Sequence, residues 1–356
     1  MIKMKTKRIP LTLITGFLGS GKTTLLNRIL RDPLLTDCVV IINEFGEVSL
    51  DHLLVEKTTE GIIELANGCL CCTLHSDLID TLIDLIHRTQ TGHLKKLNRI
   101  IIETTGIADP APILQALLSH PLFMQTLFID DVLTTFDTLS PLSVLKRYSE
   151  IQKQLALADK IILTKTDLID PRIPSKTVIN TLKTINPTAQ IIDVHSDHCN
   201  SNILTSKIFW DQKEENTPIK QWLALSSHNH APHKTIRTFS LDFEKPIAYA
   251  TLVAFLDLLQ DLYGEKILRI KAIIALEDDP HRPLILHGVQ TFFHPPIRFP
   301  AWPKGITKTR FIIITDSIEE EAIQKLFNAF FNKPAIDTAD RAALLDNPLI
   351  IPGTKF

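Results

Sequence analysis

Gly16-Phe17-Leu18-Gly19-Ser20-Gly21-Lys22-Thr23 fits the pattern GxxxxGK[ST] and lies between strand-like IPLTLIT and helix-like TTLLNRIL. A loop of this kind does one sort of chemistry. Its glycines let backbone N–H groups turn inward around phosphate oxygens, and the helix that follows adds the positive end of its dipole. Lys22 can reach the β- and γ-phosphates and the Thr23 hydroxyl can ligate Mg2+, so Gly16, Gly19, Ser20, Gly21, Lys22 and Thr23 are candidate nucleotide-binding residues. Further on, Ile100-Ile101-Ile102-Glu103-Thr104-Thr105-Gly106 sets an acid at the end of an apolar strand, with a glycine three residues later. Glu103 is placed to hold Mg2+ through a water, and the Gly106 amide to sense a γ-phosphate.

The base is addressed by Thr164-Lys165-Thr166-Asp167, a near match to the guanine-reading NKxD that follows the apolar run Lys160 to Leu163. The Asp167 carboxylate can accept both N1–H and N2–H of guanine, donors that adenine does not offer, while the Lys165 stem can lie over the ring. GTP is therefore favoured over ATP. Thr164 stands where asparagine is usual, so a side-chain amide that braces the base or the phosphate loop is missing, and weaker guanine binding is expected.

A second chemistry is carried by Asn67-Gly68-Cys69-Leu70-Cys71-Cys72, with three thiols inside four residues. Leu74, Leu78, Leu82, Leu85 and Ile86 follow at intervals that make one apolar helical face, which puts the thiols at a helix N-terminus. Such a position lowers thiol pKa values and favours thiolates, the form that binds soft or borderline metals. Cys69 and Cys71 can converge on one ion, Cys72 either joins them or points into the core, and a fourth ligand comes from elsewhere.

Short β-branched runs at 9–15, 38–42, 99–103, 159–164 and 190–194 alternate with helix-like segments at 23–31, 74–88, 143–157 and 175–185. That alternation predicts an α/β P-loop NTPase fold, a mostly parallel sheet flanked by helices, over residues 1–205. Residues 206–235 decay into a His-containing linker ending in SSHNHAPHKT. A smaller α+β domain follows over 236–332, with strands at 236–243, 267–276, 283–293 and 309–315 and helices at 247–262 and 318–331, and 333–356 reads as an irregular tail.

In a chain of 356 residues, Lys plus Arg number 38 and Asp plus Glu 40, a balance that gives no basic face for nucleic acid. The apolar runs fall far short of the ~20 residues a membrane span requires. Five cysteines, three of them adjacent, do not resemble a disulfide framework, and a reducing cytoplasm is the expected location.

Taken in order, GFLGSGKTTLLN, NEFGEVSLD, NGCLCC, IIIETTGIADP and LTKTDL resemble the CobW-type P-loop GTPases, a group that includes metal-trafficking GTPases and proposed metallochaperones. LRIKAIIAL, LHGVQ and the AWP at 301–303 are similar to the CobW C-terminal domain. The resemblance extends the phosphate loop to Thr24 and implies that Cys69, Cys71 and Cys72 bind zinc, cobalt or a related divalent ion. It makes Asn43 to Asp51 a switch region facing the γ-phosphate, in which Glu47 is a candidate for Mg2+, for the transported metal or for orienting the attacking water. It also suggests His120 as a further metal ligand. The implied activity is slow GTP hydrolysis coupled to metal transfer to a client metalloprotein or metallocofactor-assembly protein, with Lys22, Thr23, Glu47, Glu103 and Gly106 as the catalytic set and a homodimer expected by analogy.

His228, His230 and His233 in the linker, and His195, His198 and Cys199 after the last strand of the first domain, read as polar surface residues with at most auxiliary metal binding. Two other functions use parts of the same pattern: a P-loop kinase acting on a small substrate, which leaves CxCC unused, and a metal-storage or structural zinc protein stabilised by nucleotide.

Overall fold

The structure, a computed structural model, describes residues 8–33, 35–42, 62–64, 73–94, 96–168, 175–196, 199, 201–204, 235–293, 296–303 and 308–331. The 43–51 segment with Glu47, the Cys69 to Cys72 motif, His198, the three linker histidines and the tail from residue 332 lie outside the described residues.

Among the described residues seven strands form the first sheet: β1 Ile9–Gly16, β2 Cys38–Ile42, β3 Ile62–Glu64, β4 Arg99–Glu103, β5 Leu127–Asp137, β6 Lys160–Thr164 and β7 Gln190–Asp193. Their spatial order is β3-β2-β4-β1-β5-β6-β7, and every neighbouring pair is parallel. Near-continuous apolar runs such as Ile100 to Ile102 are what a strand covered on both faces requires, and these residues are wholly buried. The covering helices are α1 Lys22–Leu30, α2 Thr73–Gln90, α3 Pro110–Ser119, α4 Pro121–Thr126, α5 Leu142–Arg147, α6 Ser149–Leu157 and α7 Ser175–Ile185.

The parallel α/β architecture expected from the alternation is present, with differences in detail. The helix expected over 143–157 is two helices, because Tyr148 is extended (φ −117°, ψ 111°) and breaks the first before α6 begins. Strand β5 was not anticipated. Its sequence, LFIDDVLTTFD, carries two adjacent acids that argue against a buried strand, yet Asp130 pairs with Arg99 (2.8 Å) and Asp131 with Lys160 (2.7 Å).

The second sheet is antiparallel. It comprises β8 Ile236–Phe243, β9 Ile267–Leu276, β10 Asp279–Val289, β11 Phe292–Phe293, β12 Ile297–Arg298 and β13 Thr309–Asp316, ordered β11-β10-β9-β13-β8 with β12 also on β10. The strand expected over 283–293 is thus a hairpin, turned at Gln290 with φ 51°. Helices α8 Tyr249–Tyr263 and α9 Glu320–Phe330 cover one face, where Phe255 meets Phe311, Phe327 and Phe331 at 5.2–5.7 Å between ring centroids. The other face lies on the first domain: Ile236, Leu268, Val289 and Ile314 belong to the same apolar cluster as Leu114, Leu155 and Leu182.

Polar groups fasten this junction. Asp159, just before β6, pairs with Arg269 and with Lys271 (3.1 Å), both from β9, and accepts the Val132 N–H. Burial pushes the Asp159 carboxyl up, but Arg269 and Lys271 outweigh it and hold it well below the usual carboxylate range. Burial also pulls the Lys271 ammonium down to about 8. Asn186 donates to the carbonyls of Leu155, Ala156 and Ala158 at 2.8–3.0 Å, closing the end of α6.

A depressed carboxyl stabilises the fold above the unfolded value near ~4, and that contribution is lost as pH falls below it. Asp159→Asn should therefore destabilise the protein by about 3 kcal/mol at pH 7, with two buried cations losing their partner. Thermal unfolding followed from pH 7 to pH 3 should show the gap between wild type and variant narrowing below ~4.

Candidate functional site

All the strands of the first sheet run the same way, so the residues flagged by their motifs collect at its carboxyl edge. There β1 lies between β4 and β5, with Ile14 in register with Glu103 and Gly16 with Thr135. The phosphate loop leaves β1 at Gly16 and enters α1 through Gly21, which caps the helix with φ 90°, a left-handed conformation that glycine adopts without strain. No described side chain caps α1, so its first amides face the loop as anion donors. Ser20 Oγ and Thr135 Oγ1 share a hydrogen bond of 2.6 Å, and Lys22 Nζ donates back across the loop to Phe17 O at 3.2 Å.

Beneath the loop the Thr23 hydroxyl donates to Glu103 Oε1 at 2.8 Å, and Glu103 is only 2% exposed. A hydroxyl beside a carboxylate is an all-oxygen donor set of the kind Mg2+ takes alongside phosphate oxygens. Gly106 lies against the loop from the other side: a Cβ at this position would stand 2.6 Å from Leu18 N and 2.8 Å from Leu18 Cα. Only glycine fits so close to the backbone. Three residues later Asp109 caps α3 by accepting the Ala111 N–H, with proline at the first helical position.

At the base end, the Thr164 hydroxyl donates to Ser20 O at 2.8 Å, with Phe136 O 3.1 Å away. The brace on the phosphate loop expected to be lost with asparagine is thus made by the shorter hydroxyl, because β6 brings Thr164 directly against Gly21. Lys165 adopts φ 56° and its ammonium pairs with Asp137 Oδ2 at 2.6 Å. Asp167 Oδ1 is 3.0 Å from His195 Nε2. Asp193 organises that contact by accepting both the Thr166 hydroxyl (2.9 Å) and the His195 N–H (2.8 Å).

The residues of the phosphate loop, Glu103, Gly106, Thr164, Lys165 and Asp167 are therefore brought together on one edge. His120 stands between α3 and α4, its ring 4.3 Å from that of Phe123 and its buried Nδ1 without a hydrogen-bond partner among the described residues. Cys199 is wholly buried among Val194, Ile203 and Leu204, and burial raises its thiol pKa, as burial pushes that of Cys38 up to about 12. Neither thiol has the low pKa of a ready metal ligand. Among the described residues no group of three His, Cys, Asp or Glu is gathered.

Sequence reasoning missed Thr135, Asp137 and His195 as neighbours of the site. Nothing marks the first two except their place at the end of β5, which was itself unforeseen. His195 falls two residues beyond Asp193, and only the pairing of β6 with β7 brings it to Asp167.

A glycine-rich loop between a central parallel strand and a helix, with an acid closing on its threonine, defines a P-loop nucleotide-binding protein. Comparison with known proteins gives the family. Residues 10–193 match the CobW/HypB/UreG nucleotide-binding domain and residues 236–331 the cobalamin synthesis protein cobW C-terminal domain. The chain is 30% identical to the zinc chaperone YjiA of Escherichia coli over 321 residues, covering 90% of this chain and 98% of that one. It is 36% identical to the zinc chaperone CobW of a Sinorhizobium species over 191 residues, 46% of this chain and 52% of that one. The crystal structure of Zn(II)-bound YjiA GTPase from E. coli superposes with a TM-score of 0.67 at 25% identity, covering 92% of this chain and 100% of that one. The chain belongs to the CobW/HypB/UreG family and is a GTPase.

Gly106→Ala should force the phosphate loop away from β4, since the added methyl meets backbone. An isothermal titration is expected to show GDP affinity reduced at least about tenfold, and thermal unfolding a loss of about 2 kcal/mol, the usual scale of overpacking.

Proposed function

We propose that this chain is a GTP-hydrolysing metallochaperone: it captures a divalent transition metal, zinc or cobalt, through Cys69, Cys71 and Cys72 and passes it to a client metalloprotein or metallocofactor-assembly protein. The observation that carries this reading is the Thr23–Glu103 bond under the phosphate loop, in a chain whose cysteine motif falls between β3, ending at Glu64, and α2, beginning at Thr73. Strand β3 is parallel to β2, so its carboxyl end is on the edge that carries the phosphate loop. The names of the relatives, zinc chaperones among them, support metal as the cargo.

Lys22 neutralises phosphate charge, and Thr23 with Glu103 would hold Mg2+, which when bound would supply positive charge against the transferring phosphoryl group. The Gly106 amide reports the γ-phosphate, and Glu47 in the 43–51 switch serves Mg2+, the cargo metal or the attacking water. Asp167 and Lys165 read guanine, with Thr24, Ser20 and the loop glycines on the phosphates. His120 is the candidate protein ligand that completes the cysteine set. A homodimer is the proposed assembly and the cytoplasm the proposed location; no helix among the described residues is long and apolar enough to cross a membrane.

The test is competition titration of zinc and cobalt with no nucleotide, with GDP and with a non-hydrolysable GTP analogue, in wild type and in Cys71→Ser. A nucleotide-dependent shift of tenfold or more, about 1.4 kcal/mol, that vanishes in the variant is expected, and metal must then alter GTP affinity by the same factor. Metal affinity indifferent to nucleotide overturns the mechanism and leaves a static metal site or a kinase. For the base, Asp167→Asn should lower GTP affinity at least about tenfold in a fluorescence titration, since hydrogen bonds to a charged acceptor contribute about 1.5–3 kcal/mol. Xanthosine triphosphate binding should rise, because an amide can donate to the xanthine O2.

A further inference from the structure

Gln154 lies in the middle of α6 and is wholly buried. Its side-chain amide donates to Gly106 O at 3.2 Å and to Ala108 O at 3.0 Å, two carbonyls of the loop that joins β4 to α3. The main-chain carbonyl of Gln154 accepts the Thr134 hydroxyl of β5 at 2.9 Å. The Gly106 loop is therefore held between two surfaces, the phosphate-loop backbone at Leu18 on one side and the Gln154 amide on the other.

The far end of the same helix is held by the C-terminal domain. Arg269 of β9 donates through Nη1 to Leu157 O at 2.7 Å, the last residue of α6, and through Nη2 to Asp159. A cation on the terminal carbonyls of a helix is favourably placed against its dipole. Arg269 is 7% exposed, so this contact is screened little by solvent. A further bond, from the Thr235 hydroxyl just before β8 to Gln152 Oε1 at 3.4 Å, touches the residue two before Gln154. One short helix thus carries contacts to the Gly106 loop and to β9.

We infer that Gln154 is a positioning residue that couples the nucleotide state to the C-terminal domain: a shift of Gly106 toward a γ-phosphate is carried through the Gln154 amide and α6 to the Arg269–Asp159 contact. It presupposes the Gly106 contact with the γ-phosphate proposed above. GTP differs from GDP in offering that contact, which supplies the differential affinity a ligand needs to shift a conformational equilibrium. The two bonds from the Gln154 amide to the loop and the bond from Thr134 to its main chain tie this residue to both the loop and strand β5, so a displacement of the loop is passed to the helix.

The experiment measures dissociation constants for GDP and for a non-hydrolysable GTP analogue, both with Mg2+, in wild type, Gln154→Met, Arg269→Met and the double variant. Each single change is expected to alter the GDP-to-analogue ratio at least threefold, and the double variant to match one single variant instead of showing the product of the two effects. A ratio unmoved by Arg269→Met, or single effects that multiply, overturns the coupling while leaving the γ-phosphate contact standing. A wild-type ratio of one overturns that contact and the coupling with it. Should Gln154→Met fail to fold, hydrogen exchange on wild type decides: amides of Arg269 to Ile273 must exchange at different rates in the GDP and analogue states, and equal rates overturn the proposal.

Discussion

Among the described residues, seven strands that all run in one direction put seven carboxyl ends on one edge of a sheet, and the candidate nucleotide site draws on four of them. β1 supplies the phosphate loop, β4 the Glu103 carboxylate, β5 Thr135 and Asp137, and β6 the Thr164 to Asp167 turn. Parallel pairing needs long crossovers, which here are helices, and those helices bury both faces. Because β1 and β4 are adjacent and in register, the phosphate loop and α1 that follow β1 bring the Thr23 hydroxyl within 2.8 Å of Glu103, 80 positions away in the chain.

The opposite edge and the domain junction carry charge that such a buried sheet does not readily accept. Arg99 with Asp130, Lys160 with Asp131, and Asp159 with Arg269 and Lys271 form three buried groupings across the first sheet and on to β9. Burial raises the Asp131 carboxyl to about 6, against the opposing pull of Lys160, so the pair retains a marked desolvation penalty. Removing one member leaves a buried charge without compensation, which is costly, whereas the intact pairs specify which strand neighbours which. The Asp159 group does this between domains, where it complements the apolar contact of Ile236, Leu268, Val289 and Ile314.

The C-terminal domain is therefore a packed partner of the GTPase domain. Its sheet covers α6 and α3 on the face away from its own phenylalanine-rich core, and α6 in turn holds the loop beside the phosphate site through Gln154. The loop beside the phosphate site and the second domain thus both contact one helix of nine residues.

By itself the sequence determined the elements whose signals are local. The phosphate loop, the strand-end Glu103 and the Thr164 to Asp167 turn were legible because glycine, lysine and carboxylate spacing is enforced by contact with phosphate, metal or base, strand β1 because the phosphate loop follows it, and strands β4 and β6 because Ile100 to Ile102 and Ile161 to Leu163 are unbroken apolar runs. The break at Tyr148, the identity of β5 and the partners of Thr164, Asp167 and Gln154 were decided only by tertiary structure. For β5 and the three side chains the deciding partner is distant in sequence: Arg99 and Lys160 neutralise the acids of β5, Ser20 takes the Thr164 hydroxyl, His195 reaches Asp167, and the Gly106 loop takes the Gln154 amide. A buried polar side chain has no periodicity to announce it, and its cost is offset only when the fold delivers the group that satisfies it.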